Sequence, residues 1–426
     1  MTEKYSSKIF LGRQPILGRE QQLLAYELLF RSGPIVAGNQ ARINDPAQAT
    51  ATVIANAFSD LSVTETLGPY RGFINVDERF LFSDLIEALS PELVVLELLE
   101  SVPPTPEVVA RCRQLRDLGF CLALDDVIKV DETYRPLLEL AEIIKVDVPN
   151  VAPGELAALV EELKPFGKKL LAEKVESAEQ VETCKRLGFD LFQGYYFARP
   201  VIIIGKKLKP SQLSLLRLLE LVMRDAETRD IENAFKVEPG LTVNMLRLSN
   251  SVSNGLVTRI TSLRHAITLL GRKQLQRWLQ LLIYTSPGGE GPNDNPLLPL
   301  AATRGRLMEL LAGRSQPHNR ELADQGFLVG VMSLMPALLG VPLEEILAQL
   351  PVTPRVSQAL LEQDGMLGAL LRLVLSTEQT DPQVIEDALL STRGISVEVL
   401  ENCLYQAFYW ANNLGREQPI TDAEPE

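Results

Sequence analysis

The sequence predicts two domains of different class: an N-terminal α/β domain built as a TIM-like (β/α)8 barrel, and a C-terminal all-α domain. Three observations predict it. At 426 residues the chain is longer than one typical domain. Up to about residue 203, short apolar runs alternate with helix-patterned stretches, as strands joined by crossover helices do. From about Ser211 the runs are gone, and apolar residues recur only at helical spacing.

The strand candidates follow in order. They are "KIFLGRQPI" (8–16), "LLAYELLFR" (23–31), "GFINV" (72–76), "ELVVLEL" (92–98) and "EIIKVD" (142–147), plus the runs inside "RDLGFCLALDD", "KPFGKKLLAEK" and "KRLGFDLFQGY". In the last three, Gly119, Gly167 and Gly188 stand where a helix should end, since glycine accepts the left-handed conformation after a last turn. About eight strands with helices between them favour a closed barrel over an open sheet. No GxGxxG or GxxxxGK[ST] phosphate loop occurs, which weakens the open-sheet nucleotide folds further.

The second half offers helices at "LSLLRLLELVMRD", "TVNMLRLSNS", "SLRHAITLLGRKQLQRWLQLL", "TRGRLMELLAG" and "SVEVLENCLYQAFYWANNL". In "TDPQVIEDALL", Asp381 is placed to cap a helix with Pro382 at its first position. The expected division is 1–204 for the barrel, 205–212 ("GKKLKPSQ") for the linker, 213–414 for the helical domain and 415–426 for an acidic, disordered tail. "SPGGEGPNDNP" (Ser286–Pro296) reads as a flexible loop.

Composition bounds the function. The net charge of −13 argues against broad nucleic-acid binding, which needs excess Lys and Arg. Cys112, Cys121, Cys184 and Cys403 show no CxxC spacing and read as free thiols of a reducing compartment. The N-terminus has no apolar signal core. The charge-free stretch Gln325–Leu343 is broken by Ser333, Pro336, Gly340 and Pro342, so it reads as a buried helix and a turn. The expectation is a cytoplasmic protein without a membrane span.

Polar residues stand at or near the strand exits: Glu27, Asn75, Glu97, Asp125 with Asp126, Lys145 with Asp147, Glu173, and Gln193. A barrel gathers these exits on one face. Any single member reads most plainly as a cap or loop residue. As a set they are converging acids, which resist joint ionisation unless cations compensate them. Hard oxygen ligands of this kind suit Mg2+ or Mn2+.

These motifs resemble the EAL family of cyclic di-GMP phosphodiesterases. "YELLFR" carries Glu27, Leu29 and Arg31 of an ExLxR signature, with Leu28 in place of the usual alanine. "RQPI" contributes Gln14, "FINVD" Asn75, "LELLES" Glu97 and Glu100, "LALDD" the two aspartates, "IIKVD" Lys145, and "AEKVES" stands for AEGVE. "FQGYYFARP" closes the barrel. The resemblance implies one metal held by Glu27, Asn75, Glu97 and Asp125, and a second between Asp125, Asp126 and Glu173. It further implies Lys145 as the residue that orients or deprotonates a water, Glu176 and Gln193 in support, and Arg31 and Gln14 against the phosphate and base of the dinucleotide.

Two departures bear on activity. Active members follow the aspartates with a Gly- and Ser-rich loop, whereas this chain has "VIKVDE" (Val127–Glu132). Lys174 replaces the glycine of AEGVE. The helical half resembles the HDOD domain, on Asn250-Ser251, Ser262, Ala266-Ile267 and Leu270-Gly271. Its two histidines, His265 before Ala266 and His318 before Asn319, form no His-Asp pair, so metal-dependent hydrolysis by this half is not expected. Three functions stay open. One is a cyclic di-GMP receptor that signals through its HDOD half to a protein partner, with a homodimer as candidate assembly. Another is an active phosphodiesterase releasing linear pGpG. The third is a scaffold independent of nucleotide.

Overall fold

The structure, a computed structural model, describes residues 9–32, 67–152, 154–194, 210–236, 245–246, 249–250, 263–284, 295, 297–378, 382–392 and 394–414. The Asp381 cap, residues 205–209 of the linker, the tail and, save Asn295, the loop 286–296 lie outside the described residues. The chain divides into two compact units. One comprises Met1–Ala198 with Leu375–Leu390 and Ser396–Asn402; the other comprises Arg199–Val374 with Ser391–Ile395 and Cys403–Glu426.

The first unit holds a closed barrel of strands β1 (Ile9–Gly18), β2 (Leu23–Ser32), β3 (Arg71–Val76), β4 (Val94–Leu98), β5 (Cys121–Leu124), β6 (Ile143–Asp147), β7 (Lys169–Glu173) and β8 (Leu191–Phe192), hydrogen-bonded in that order. β2 to β8 run parallel, but β1 is antiparallel to both neighbours. The reason is the connection. Only Arg19–Gln22 separate β1 from β2, and a parallel pair needs a crossover of a dozen residues or more. The first repeat is therefore a hairpin rather than a strand–helix unit, with Gln21 turning at φ 62°.

Helix ends follow local chemistry. Thr105 caps Pro106–Asp117 through its hydroxyl, with Pro106 in the first turn, where a missing N–H costs nothing. Ser177 and Gln180 form a reciprocal capping box at the start of Ala178–Leu187. Gly119, Gly167 and Gly188 all adopt positive φ at the ends of their helical segments, as the sequence predicts.

Two apolar clusters sandwich the strand backbones. The larger joins outward residues such as Leu28, Ile74, Leu96, Leu122, Ile144 and Ala172 to the helices outside. The smaller fills the barrel with one residue from every strand: Ile16, Ala25, Phe73, Val95, Ala123, Ile143, Leu171 and Leu191. This inner layer sets the floor of everything above it.

In the second unit, Leu297–Ser315 packs along Arg320–Met332. A Cβ at Gly330 would lie 2.5 Å from the Arg304 carbonyl oxygen, so only glycine permits this approach. Trp278 is fully buried and stacks on Trp410 at 6.2 Å, and Phe327 meets Trp410 edge-on. Leu263–Leu282, expected as one run, is broken at Gly271 (φ 72°, ψ 169°). One stretch of the described residues, Arg320–Leu339, is long and apolar enough to cross a membrane, and 72% of its apolar window is buried in the protein.

Candidate metal and ligand site at the barrel mouth

Side chains alternate along a strand, so the residue two positions on from an inner-layer residue faces the interior again. Applied to the inner layer, this step lands on Glu27, Asn75, Glu97, Asp125, Lys145, Glu173 and Gln193. On β1, which runs backward, the step goes the other way, from Ile16 to Gln14. One apolar layer is thus roofed by one polar layer. Strand periodicity alone gathers residues spread from position 14 to 193.

The polar layer is out of electrical balance. The Lys145 ammonium, 1% exposed, is paired with Glu27 at 3.4 Å, Asp125 at 3.0 Å, Glu173 at 2.8 Å and, closer still, Glu97. Gln193 Nε2 donates to Gln14 Oε1 at 2.8 Å and to Glu27 Oε2 at 2.6 Å. Burial pushes Glu97 well above the usual carboxylate range; Lys145 pulls it back, and Glu27, Asp125 and Glu173 push it further up. Burial raises Glu173 to about 7, against the opposing pull of Lys145. For Lys145 burial works downward, but the four acids, Glu27 foremost, hold its pKa well above that of a free lysine.

Four buried oxygens of this layer have no hydrogen-bond partner: Asn75 Oδ1, Glu97 Oε2, Glu173 Oε2 and Gln193 Oε1. An acceptor buried without a donor costs free energy on the order of 1–3 kcal/mol. Clustered orphans of one polarity therefore point to a missing cationic partner. One oxygen from each of Glu27, Glu97 and Glu173 lies within 4.8 Å of the others, close enough to share one ion. The donors are carboxylate and amide oxygens, which fit a hard divalent cation.

Above the layer lies a second, different cluster. Asp126 (φ 48°) and Lys174 (φ 54°) both hold left-handed backbone directly after strand exits. The Lys174 ammonium bridges Asp126, at 3.1 Å, and Asp147 at the end of β6. Asp147 accepts two further hydrogen bonds, from the Asn150 backbone and side-chain amides. Burial disfavours its charge, yet the Lys174 hydrogen bond leads the contacts that hold its pKa low. Burial and the adjoining Asp125 raise Asp126. Glu100, Asp125 and Asp126 also bring one oxygen each within 4.8 Å.

Of the residues singled out from sequence, eight meet in the polar layer: Gln14, Glu27, Asn75, Glu97, Asp125, Lys145, Glu173 and Gln193. Asp126 sits beside them under Lys174. Glu176 is exposed just before the capping box and is not part of the layer. Arg31 is paired with Phe10 in the β1–β2 register, and its side chain lies outside the described residues. The ion pairs of Lys174 were not foreseen. The only signal was its unusual residue type where a glycine conformation is required.

Two further residues shape the floor. Gly194, at φ 149°, lets the chain after β8 pass Val175 so closely that a Cβ would fall 2.3 Å from its carbonyl oxygen. Val175 N–H in turn donates to the Gln193 carbonyl at 3.0 Å, fixing the exits of β7 and β8 against each other.

Comparison with known proteins matches the EAL domain to residues 14–200 and the HDOD domain to residues 210–323. The chain is 30% identical over 413 residues to the uncharacterized protein YuxH of Bacillus subtilis (strain 168), covering 96% of this chain and 99% of that protein. It is 29% identical over 410 residues to the cyclic di-GMP phosphodiesterase CdgJ of Vibrio cholerae serotype O1, covering 96% of this chain and 93% of that protein. Among solved structures, an EAL domain protein from Listeria monocytogenes EGD-e is 23% identical, with 45% of this chain and 88% of that chain covered and a TM-score of 0.35.

Proposed function

The chain belongs to the EAL–HDOD family, and we propose that its barrel binds cyclic di-GMP together with divalent cations and passes that state, through the helical half, to a protein partner. The observation that carries the reading is the polar layer: four acids around one lysine, with Asn75, Glu97, Glu173 and Gln193 each offering an unpartnered oxygen. Cyclic di-GMP enters through the full-length similarity to CdgJ. Glu27, Asn75, Glu97 and Asp125 would hold one Mg2+ or Mn2+ ion, and the resemblance assigns a second to Asp125, Asp126 and Glu173. A cation bound there supplies Lewis acidity toward a phosphodiester.

The chain's own groups divide the remaining work. Lys145, buried among the four acids, would orient a water or help deprotonate it, as the resemblance implies. Gln14 already faces Gln193 through a hydrogen bond, and the Gln14 amide suits the edge of a base. Arg31 is assigned to phosphate, because a planar guanidinium matches its oxygens in pairs. Gln193 supports the ligands, as the resemblance implies; Glu176, given the same role by that resemblance, stands exposed outside the polar layer.

Hydrolysis to linear pGpG is the second reading, favoured by the similarity to CdgJ. Against it stand the Val127–Glu132 segment and Lys174, both on the rim of the polar layer. Titration with cyclic di-GMP in Ca2+ measures binding, and incubation in Mg2+ or Mn2+ measures product. Binding without product supports the receptor, and linear product supports the phosphodiesterase. Absence of both removes nucleotide from the function.

A further inference from the structure

The two ion-pair clusters at the barrel mouth differ in how completely they are served. Around Lys145 four carboxylates face one ammonium, and Glu97 and Glu173 each keep an unpartnered oxygen. Around Lys174 two carboxylates face one ammonium, and the buried Asp147 keeps no oxygen without a partner. Asp147 is saturated, by Asn150 on both oxygens and by Lys174 on one. The first cluster lacks positive charge, whereas the second has its own.

Lys174 is also an improbable residue for its place. Its φ of 54° lies in the left-handed region that residues with a side chain rarely enter. What its side chain gains there is the bridge between Asp126, past the exit of β5, and Asp147, at the exit of β6. A primary ammonium carries one positive charge and three N–H donors. Placed between two carboxylates, it meets the same electrostatic need as a bound cation.

The geometry points to Lys174 as a built-in cation that stands in for the second metal ion, so that this chain binds one divalent ion among Glu27, Asn75, Glu97 and Asp125 and none at Asp126. The inference rests on the proposed metal-binding reading and narrows it. With Asp126 paired to a tethered ammonium, a phosphodiester meets one divalent ion and one lysine instead of two ions. That arrangement still attracts the dianionic dinucleotide. It withholds the second Lewis acid that two-metal hydrolysis uses to activate the attacking and leaving oxygens.

The test is the stoichiometry of Mn2+ on the full-length chain, read by calorimetry and by electron paramagnetic resonance, with and without cyclic di-GMP. One ion per chain is expected for the wild type, rising to two in both Lys174→Gly and Lys174→Gln. Gain in Lys174→Gln matters, because that variant keeps the backbone demand and loses only the charge. Two ions on the wild type would overturn the inference while leaving the cyclic di-GMP reading intact, and so would one ion in both variants. A second ion in Lys174→Gly alone would overturn it too, assigning the effect to backbone strain. No ion at all on the wild type would overturn the metal-binding reading and this inference together.

Discussion

At the barrel mouth one lysine faces four acids, whereas in the helical unit Lys273, Arg277 and Arg306 share Glu309 and Asp324. Three cations to two acids make a network that closes on itself. Arg277 also lies over the Phe327 ring at 5.0 Å, a contact that belongs to packing. Among the described residues, both groups of acids close enough to share an ion belong to the barrel. Clustered charge, buried at the barrel mouth and partly exposed in the helical unit, therefore has two uses in one chain. Balanced, it fixes how helices pack; unbalanced, it leaves acids that hold on to protons and keep oxygens without a partner.

The comparison can be broken by removing one group from each region. Lys145→Met should destabilise the metal-free protein by about 3–5 kcal/mol, because it strands four acids without a partner. Urea denaturation in EDTA measures the loss, and added Mn2+ should recover most of it. Trp278→Ala should cost a similar amount, about 3–5 kcal/mol, by leaving a cavity in the helical core. Mn2+ binding affinity should be unchanged in that variant. Should Trp278→Ala weaken Mn2+ binding, the separation of roles fails.

pH sharpens the contrast. Glu173 ionises at about 7 in the fold against 4.5 for the free side chain. Between those values the folded state keeps a proton that the unfolded chain has released. Metal-free stability should therefore fall as pH rises through this window, by at most about 1.4 kcal/mol per pH unit for this group. Denaturation midpoints across the window read the slope, and saturating Mn2+ should flatten it. Arg277→Ala should give the smallest effect, about 1–2 kcal/mol, independent of Mn2+, since Arg306 and Lys273 continue to serve the two acids. Calorimetric melts with and without the ion check that independence.

Much of this was legible in the sequence because a strand has a period of two. "CLALDD" spells the register directly: Ala123 in the apolar layer, Asp125 in the polar one. The same reading works for Phe73 and Asn75, or Leu171 and Glu173. What could not be read was pairing between strands. Nothing in "IIKVD" says that Lys145 meets four acids, since those acids come from four other strand exits. The reversal of β1 was hidden for another reason. A hairpin partner and a crossover strand share the same apolar pattern, and only the short Arg19–Gln22 link separates them. Lys174 could be noticed as odd but not explained, because its partners lie 48 and 27 positions away.

The reversed first strand also leaves the cylinder with a seam. Among the described residues, β1 meets β8 through two residue pairs, Leu17 with Phe192 and Gly18 with Leu191, joining parts of the chain more than a hundred positions apart. Closing so long a loop carries an entropy cost that no local contact offsets, so this zip is expected to form late in folding and part early in unfolding. The clasp above it is chemical: Gln193 reaches across to Gln14 and Glu27, the residues assigned to base and metal. An occupant gripped by those three would tie the cylinder shut. The signal would then be read as a change in lifetime as well as in shape, and slower hydrogen exchange at Leu17 and Gly18 would record it.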